Sequence, residues 1–220
     1  MPTQRAEQAD KALGPSPRSS RSKRRTMILD AALRLFRQHP YEEIFTDDIA
    51  REAGVANGLL FYYFGDKRGL YTAAVQRQVE VELDLWRRAQ HEGETTLERI
   101  RSVVYEHFEY LKANPHTFLG MMRRSPSTPD VEPIFEAARQ ESTDIILGHL
   151  GLDIQLDALG SAALRGWAAF NDETTVALLT GNDLNLDQVT QLSMTMLFAA
   201  LSTLTDRYPD VDRVLGELQR

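Results

Sequence analysis

Residues 55–67, VANGLLFYYFGDK, bring an amide (Asn57), a glycine (Gly58), four consecutive rings (Phe61, Tyr62, Tyr63, Phe64) and an ammonium (Lys67) into one short stretch. Successive helical residues turn by about 100°. Four adjacent rings therefore cannot share one core-facing stripe, and some must point outward. The charge distribution suggests towards what. Net charge is −7, yet residues 1–70 carry +3 and residues 71–220 carry −10. Residues 1–26 alone hold seven basic side chains against two acidic ones. A basic front on an acidic body is the asymmetry expected when one end meets a polyanion. On charge alone, a solvated tail on an acidic domain fits as well.

Other chemistries find little support. There is no cysteine, which excludes disulfides and thiolate metal sites. The histidines (39, 91, 107, 116 and 149) never fall three or four apart, so no helical metal pair forms. No paired-carboxylate metal motif, nucleophile elbow or phosphate-binding glycine loop occurs, so the chain does not read as an enzyme. Neither a cofactor nor a metal is expected. The longest apolar runs, such as LFAAL at 197–201, are too short to span a membrane. The first residues lack the apolar segment of a secretory signal, and a cytoplasmic protein is expected.

The elements that must position these residues read as helices throughout. Residues 1–22, rich in Pro, Ser, Gln and Arg, are expected to form a disordered basic arm. From Arg24, the pairs Met27/Ile28, Ala31/Ala32 and Leu35/Phe36 recur every four residues, a helical stripe that His39-Pro40 ends. In FTDDIAREAG, Thr46 reads as an N-cap, Asp47 and Asp48 suit the positive end of the helix dipole, and Gly54 suits a left-handed C-cap. Val55 opens a third short helix. Three short helices with a tight glycine turn outline a helix-turn-helix unit. Further helices are expected at Lys67–Arg88, Thr96–Ala113, 116–124, Val131–Leu150, 156–180, 186–207 and 210–219. No stretch alternates with period two. The expected fold is all-α: an arm (1–22), a three-helix head (23–70) and a helical body (71–220).

ILDAALRLF followed by TDDIAREAGVANGLLFYYFGDKRGLY resembles the DNA-binding head of the TetR family of bacterial transcriptional regulators. The cap, Ala50, Gly54, Val55, Leu60, Tyr63-Phe64 and Lys67 all fall at the family's spacing. The resemblance implies that Val55–Tyr63 is a recognition helix entering the major groove. Ala56, Asn57, Gly58 and Leu59 would then occupy its leading end. Asn57 could pair with an adenine edge or act through water, Gly58 would allow close backbone approach, and Leu59 offers an apolar contact. Tyr62 and Tyr63 would reach phosphates, contacts that fix register without reading sequence. Phe61 stands where the family usually has tyrosine and lacks the hydroxyl. Lys67 and Thr46 would bind phosphate at the starts of their helices. Without the surrounding cap, glycine and lysine, FYYF would suit an internal staple in an ordinary helical bundle.

By the same resemblance, the helices near 156–180 and 186–207 build a homodimer interface. Their apolar faces (Leu159, Ala162/Ala163, Trp167, Phe170; Val189, Leu192, Met196/Leu197, Ala200, Leu204) could equally be buried within one subunit. Arg165 and Asp172, seven apart, are expected to share a polar layer or ion pair at that interface, with a ligand cavity facing Asp172 or Glu173 as the alternative. Trp86, Tyr105, Phe108, Phe118, Met121, Met122, Trp167 and Asp172 are candidate lining for an effector pocket. The implied function is a ligand-responsive repressor that binds a palindromic double-stranded DNA operator as a dimer. A DNA-bound structural or partner-recruiting protein using the same head is the alternative.

Overall fold

The computed structural model describes residues 17–88, 95–115, 118–119, 131–181 and 183–218. Within them the chain is helical, with no strand. Helix α1 (Pro17–Gln38) leads through a 3-10 turn (Tyr41–Glu43) to α2 (Thr46–Ala53) and α3 (Asn57–Phe64). Next come α4 (Lys67–Arg88), α5 (Thr96–Ala113) and α6 (Glu132–His149). Last are α7 (Ala158–Thr180), α8 (Leu186–Ser202) and α9 (Pro209–Leu218).

Local chemistry sets these boundaries. Thr95 and Glu98 cap α5 reciprocally: each backbone N–H donates to the other's side chain, at 2.8 and 3.2 Å. Asn185 and Gln188 do the same at α8, both at 3.0 Å. Asp157 accepts from the Gly160 N–H at the start of α7. Three expectations are corrected. Residues 17–22, assigned to the arm, are helical; Pro17 suits a first helical position, and the stripe of α1 continues behind it. Thr46 is not the N-cap of α2. Phe45 holds that position, and its N–H donates to the Asp48 carboxylate at 3.2 Å. The helix expected over 186–207 ends at Ser202 and gives way to turns. Most of the expected 116–124 helix lies outside the described residues.

Helix α4 is about 33 Å long at 1.5 Å per residue and joins two cores. Its Leu70, Tyr71, Ala74, Val75, Val79 and Leu83 pack with Ile28, Ala32, Phe36, Ile49 and Leu60 of α1–α3. Leu111, Phe118, Val131 and Phe135 close that same cluster from the body side. Trp86 belongs to the second core, with Phe108, Ile146, Trp167, Leu197 and Leu201. Helices α7 and α8 pack on each other, α8 also lies against α5, and α9 covers α8.

Candidate nucleic-acid interface and internal cavity

The interface begins at a glycine turn. Gly54 has φ +64° and ψ 34°, and its N–H bonds the carbonyls of Ala50 and Arg51. A left-handed residue here reverses the chain within a few atoms, which glycine does without a Cβ penalty. At the other end of α3 the chain turns so sharply that a Cβ on Gly69 would sit 2.2 Å from the Phe64 carbonyl oxygen. The Asp66 carboxylate accepts from the Gly69 N–H at 2.7 Å and caps α4.

Between these turns α3 divides its side chains. Leu60 is fully buried, while Leu59, Tyr63 and Phe64 are half-buried against the head core. Ala56 and Gly58 are exposed, Phe61 is 46% exposed and Tyr62 61%. Two basic residues of α1 lie beside these rings. The Arg21 guanidinium donates to the Tyr62 hydroxyl and stands 5.1 Å from its ring centre, and Arg25 lies 5.0 Å from that of Phe64. Arg21, Ser22, Arg25, Tyr62 and Tyr63 line one shallow recess. Phe45, 67% exposed at the start of α2, adds a further ring that the sequence did not single out.

Two of the expected contact residues, Asn57 and Lys67, bond within the head. The Asn57 amide donates to the Asp47 carboxylate on α2, and its own carbonyl oxygen is buried without a partner. The Lys67 ammonium donates to the Tyr41 carbonyl at 2.6 Å and lies 4.0 Å from that ring's centre. Burial lowers its pKa, and the nearby Glu42 opposes that shift. Thr46 is half-buried as the first residue of α2. In this arrangement Asn57 and Lys67 brace the junctions α2–α3 and α3–α4.

A cavity of about 70 Å³ lies in the body between α4, α5, α6 and α7. Its apolar wall includes Val79, Leu83, Trp86, Phe118 and Phe135. Its polar wall is Glu82, His107, Arg139, Ser142, Asn171 and Asp172. Arg139 donates to Asp172 at 2.7 and 2.9 Å, to Glu136 at 2.7 Å and to Glu132 at 3.3 Å. The expected Arg165–Asp172 pairing is therefore corrected: Arg165 bonds Glu136 instead, and Asp172 faces the cavity. The Asn171 side-chain oxygen and the His107 Nδ1 are buried with no partner. Burial pushes the Glu82 carboxyl up to about 7 and the His107 imidazole down to about 4, so the histidine is neutral at pH 7.

Of the expected pocket residues, Trp86, Phe118 and Asp172 line this cavity. Trp167 stands behind Trp86, with ring centres 6.3 Å apart and its indole N–H donating to the Ser193 carbonyl. Phe108 is sealed in the core, and the half-buried Tyr105 does not line the cavity. Met121 and Met122 lie outside the described residues. Glu82, His107, Arg139, Ser142 and Asn171 are polar lining residues that sequence reasoning passed over. Glu82 did leave a signal, since it interrupts the apolar stripe Val79–Leu83–Trp86.

Glu82 is also one end of a buried polar chain. It accepts from the Gln78 amide at 3.3 Å, and that amide also donates to the Tyr110 hydroxyl. The Gln78 carbonyl accepts from Arg37 of α1 at 2.6 Å. The cavity wall is thus linked to the head through one glutamine.

A short-helix head with a left-handed glycine turn, set on an all-helical body, has the architecture of a helix-turn-helix unit joined to a helical domain. Residues 28–74 match the family model described as bacterial regulatory proteins, tetR family, so the head is similar to that family over this stretch. Over 184 residues it is 26% identical to the HTH-type transcriptional activator FasR of Mycolicibacterium smegmatis, covering 83% of this chain and 84% of that one. A tetR-family regulator from Streptomyces coelicolor shares the fold with TM-score 0.76 at 23% identity, over 90% of this chain and 89% of that one. FadR of Bacillus subtilis, crystallised in complex with stearoyl-CoA, shares it with TM-score 0.56 at 22% identity, over 80% and 96% of the two chains. Among the described residues no helix is long and apolar enough to cross a membrane.

Proposed function

We propose that this regulator is a cytoplasmic, ligand-responsive repressor that binds a two-fold symmetric operator as a homodimer. The observation that carries the ligand response is the cavity. It holds unpartnered polar atoms beside an apolar wall, and it abuts α4, the helix that begins under the head. Buried polar groups in folded proteins are nearly always paired, so orphaned atoms on side chains that line a cavity suit a site whose occupant supplies the partners. The relatives include a regulator crystallised with a small molecule, stearoyl-CoA.

The proposed DNA surface is the exposed edge of α3 with its neighbours. Ala56, Gly58 and Leu59 would approach base edges, Gly58 by allowing close backbone contact. Tyr62, Tyr63, Arg21 and Arg25 would take phosphates, with Phe61 and Phe45 packing on sugar. Asn57, Lys67 and Thr46 would hold the short helices in register. Dimerisation would use the exposed apolar side chains that α7 and α8 present together, Leu159, Leu192 and Met196. A recognition helix of eight residues reads few base pairs alone. Two of them on half-sites about 34–36 Å apart, or a multiple of that, would supply the rest.

Selection of bound duplexes from random DNA tests the core of this reading. A two-fold symmetric consensus with one dimer bound is expected. A single asymmetric half-site bound by a monomer refutes the dimer. The sign of regulation is read from a reporter carrying the selected site. Repression is the simpler outcome, since occupancy alone can block a promoter, whereas the relative FasR is an activator by name.

A further inference from the structure

The polar lining of the cavity is unbalanced in a way that restricts its occupant. Two carboxyl groups face it, Glu82 and Asp172, and a cation placed beside Glu82 would favour its charged form. Arg139 is the guanidinium in the wall, and its donors are engaged by Asp172, Glu136 and Glu132. His107, neutral at pH 7, adds no compensating charge. The two orphaned atoms are Asn171 Oδ1, a carbonyl acceptor, and His107 Nδ1, which offers a lone pair when Nε2 carries the proton. Trp86 and His107 meet edge to face, with ring centres 5.1 Å apart, and Trp86 is the aromatic side chain best suited to sit beside a cation.

From these groups we infer that the cavity takes a compact primary or secondary ammonium ion, its charge facing Glu82 and its N–H groups donating to Asn171 and His107. The inference rests on the effector reading of this cavity given above. An anionic head group would meet two carboxyl groups, and Arg139, the one cation among the described lining residues, is already engaged by carboxylates. An apolar molecule would leave both acceptors unpaired. A quaternary ammonium would satisfy the charge but carries no N–H for the acceptors. Size is also restrictive. An engineered cavity of about 150 Å³ admits benzene, so a space of about 70 Å³ holds a group of only a few heavy atoms unless the helices part.

The test is calorimetric titration of the full-length, DNA-free protein with n-propylammonium, n-propanol, propionate and tetramethylammonium, repeated on Glu82→Gln and Asn171→Leu. Propylammonium is expected to bind at least tenfold tighter than each of the other three. Glu82→Gln should bring it down to the level of propanol. Asn171→Leu should reduce the preference for propylammonium over tetramethylammonium. Circular dichroism of both variants checks that the helices are intact, and the wild-type ligand ranking stands whether or not a variant folds. Tighter binding of propionate overturns the inference while leaving ligand control intact. Equal binding of all four probes also overturns it. Operator affinity is measured separately. Propylammonium that binds the cavity without weakening operator binding upholds the site and refutes ligand control.

Discussion

Replacing Glu82 by glutamine should stabilise the protein at pH 8 and leave it unchanged near pH 4. Burial moves this carboxyl from 4.5 to about 7 in the folded state, countered in part by the Gln78 hydrogen bond. The folded protein therefore holds the proton more tightly than the unfolded chain does. Stability must fall as pH rises through the window from 4.5 to about 7 and then level off. With about 1.4 kcal/mol for each tenfold change in proton affinity, the full effect is about 3 kcal/mol, which glutamine should remove. His107 acts in the opposite sense. Its folded pKa is lowered by burial from 6.5 to about 4, so its contribution is present above 6.5 and lost as pH falls towards 4. Between about 4.5 and 6.5 the two slopes oppose each other, and these two groups together leave the wild type nearly flat. Glu82→Gln alone should expose the histidine slope as an acid destabilisation. Urea unfolding followed by circular dichroism at half-unit steps from pH 4 to 8 measures this, with m-values checked for constancy. A difference between Glu82→Gln and wild type that is constant across pH refutes the argument, because an exposed carboxyl gives no pH-dependent gain.

Arg21→Ala and Arg25→Ala should each weaken binding to all duplexes alike and reduce the salt slope by about one; an unchanged slope removes that residue from the phosphate surface. Asn57→Ala should cost about 1 kcal/mol of stability through the lost bond to Asp47, with affinity lowered evenly across sequences; relaxed preference at one base position would instead mark Asn57 as a base reader. Leu192→Glu together with Met196→Glu should convert the dimer to a folded monomer in sedimentation, and a persisting dimer would move the interface off these helices. Gln78→Leu should leave the cavity able to bind but reduce the effect of an occupant on operator affinity, since it breaks the chain from Glu82 to Arg37.

The head was legible in the sequence because its determinants are local. A four-residue stripe, a Gly54 that must take positive φ, and His39-Pro40 each act within a turn or two of the chain. The order of the body helices among the described residues followed from the same periodicity, while the end of the helix expected over 186–207 did not. What the sequence obscured was the direction of single side chains. Asn57 and Lys67 sit at the ends of short helices, where a long polar side chain can turn to solvent or to a neighbouring carboxylate or carbonyl. Only the position of Asp47 and Tyr41 decides between them. The cavity was obscured for a different reason. Glu82, His107, Arg139 and Asn171 come from four helices, and each alone looks like an ordinary polar residue at the edge of an apolar stripe. Aromatic and methionine side chains drew attention instead, yet Phe108 and Trp167 fill the core.

Helix α4 contributes Leu70 through Leu83 to the core that holds α1–α3 together, and Leu111, Phe118, Val131 and Phe135 seal the same core from below. A gene fusion that grafted residues 17–66 onto an unrelated body would leave Ile28, Phe36, Ile49 and Leu60 facing water or mismatched side chains. The unit that can be exchanged between regulators is therefore the head together with most of α4 and complementary residues of the body. Successful chimaeras should have crossovers in the last turns of α4, beyond Leu83, and those placed at the start of that helix should be insoluble. The shared core couples substitutions in the head to substitutions in the body, since neither side of it can be changed without repacking the other.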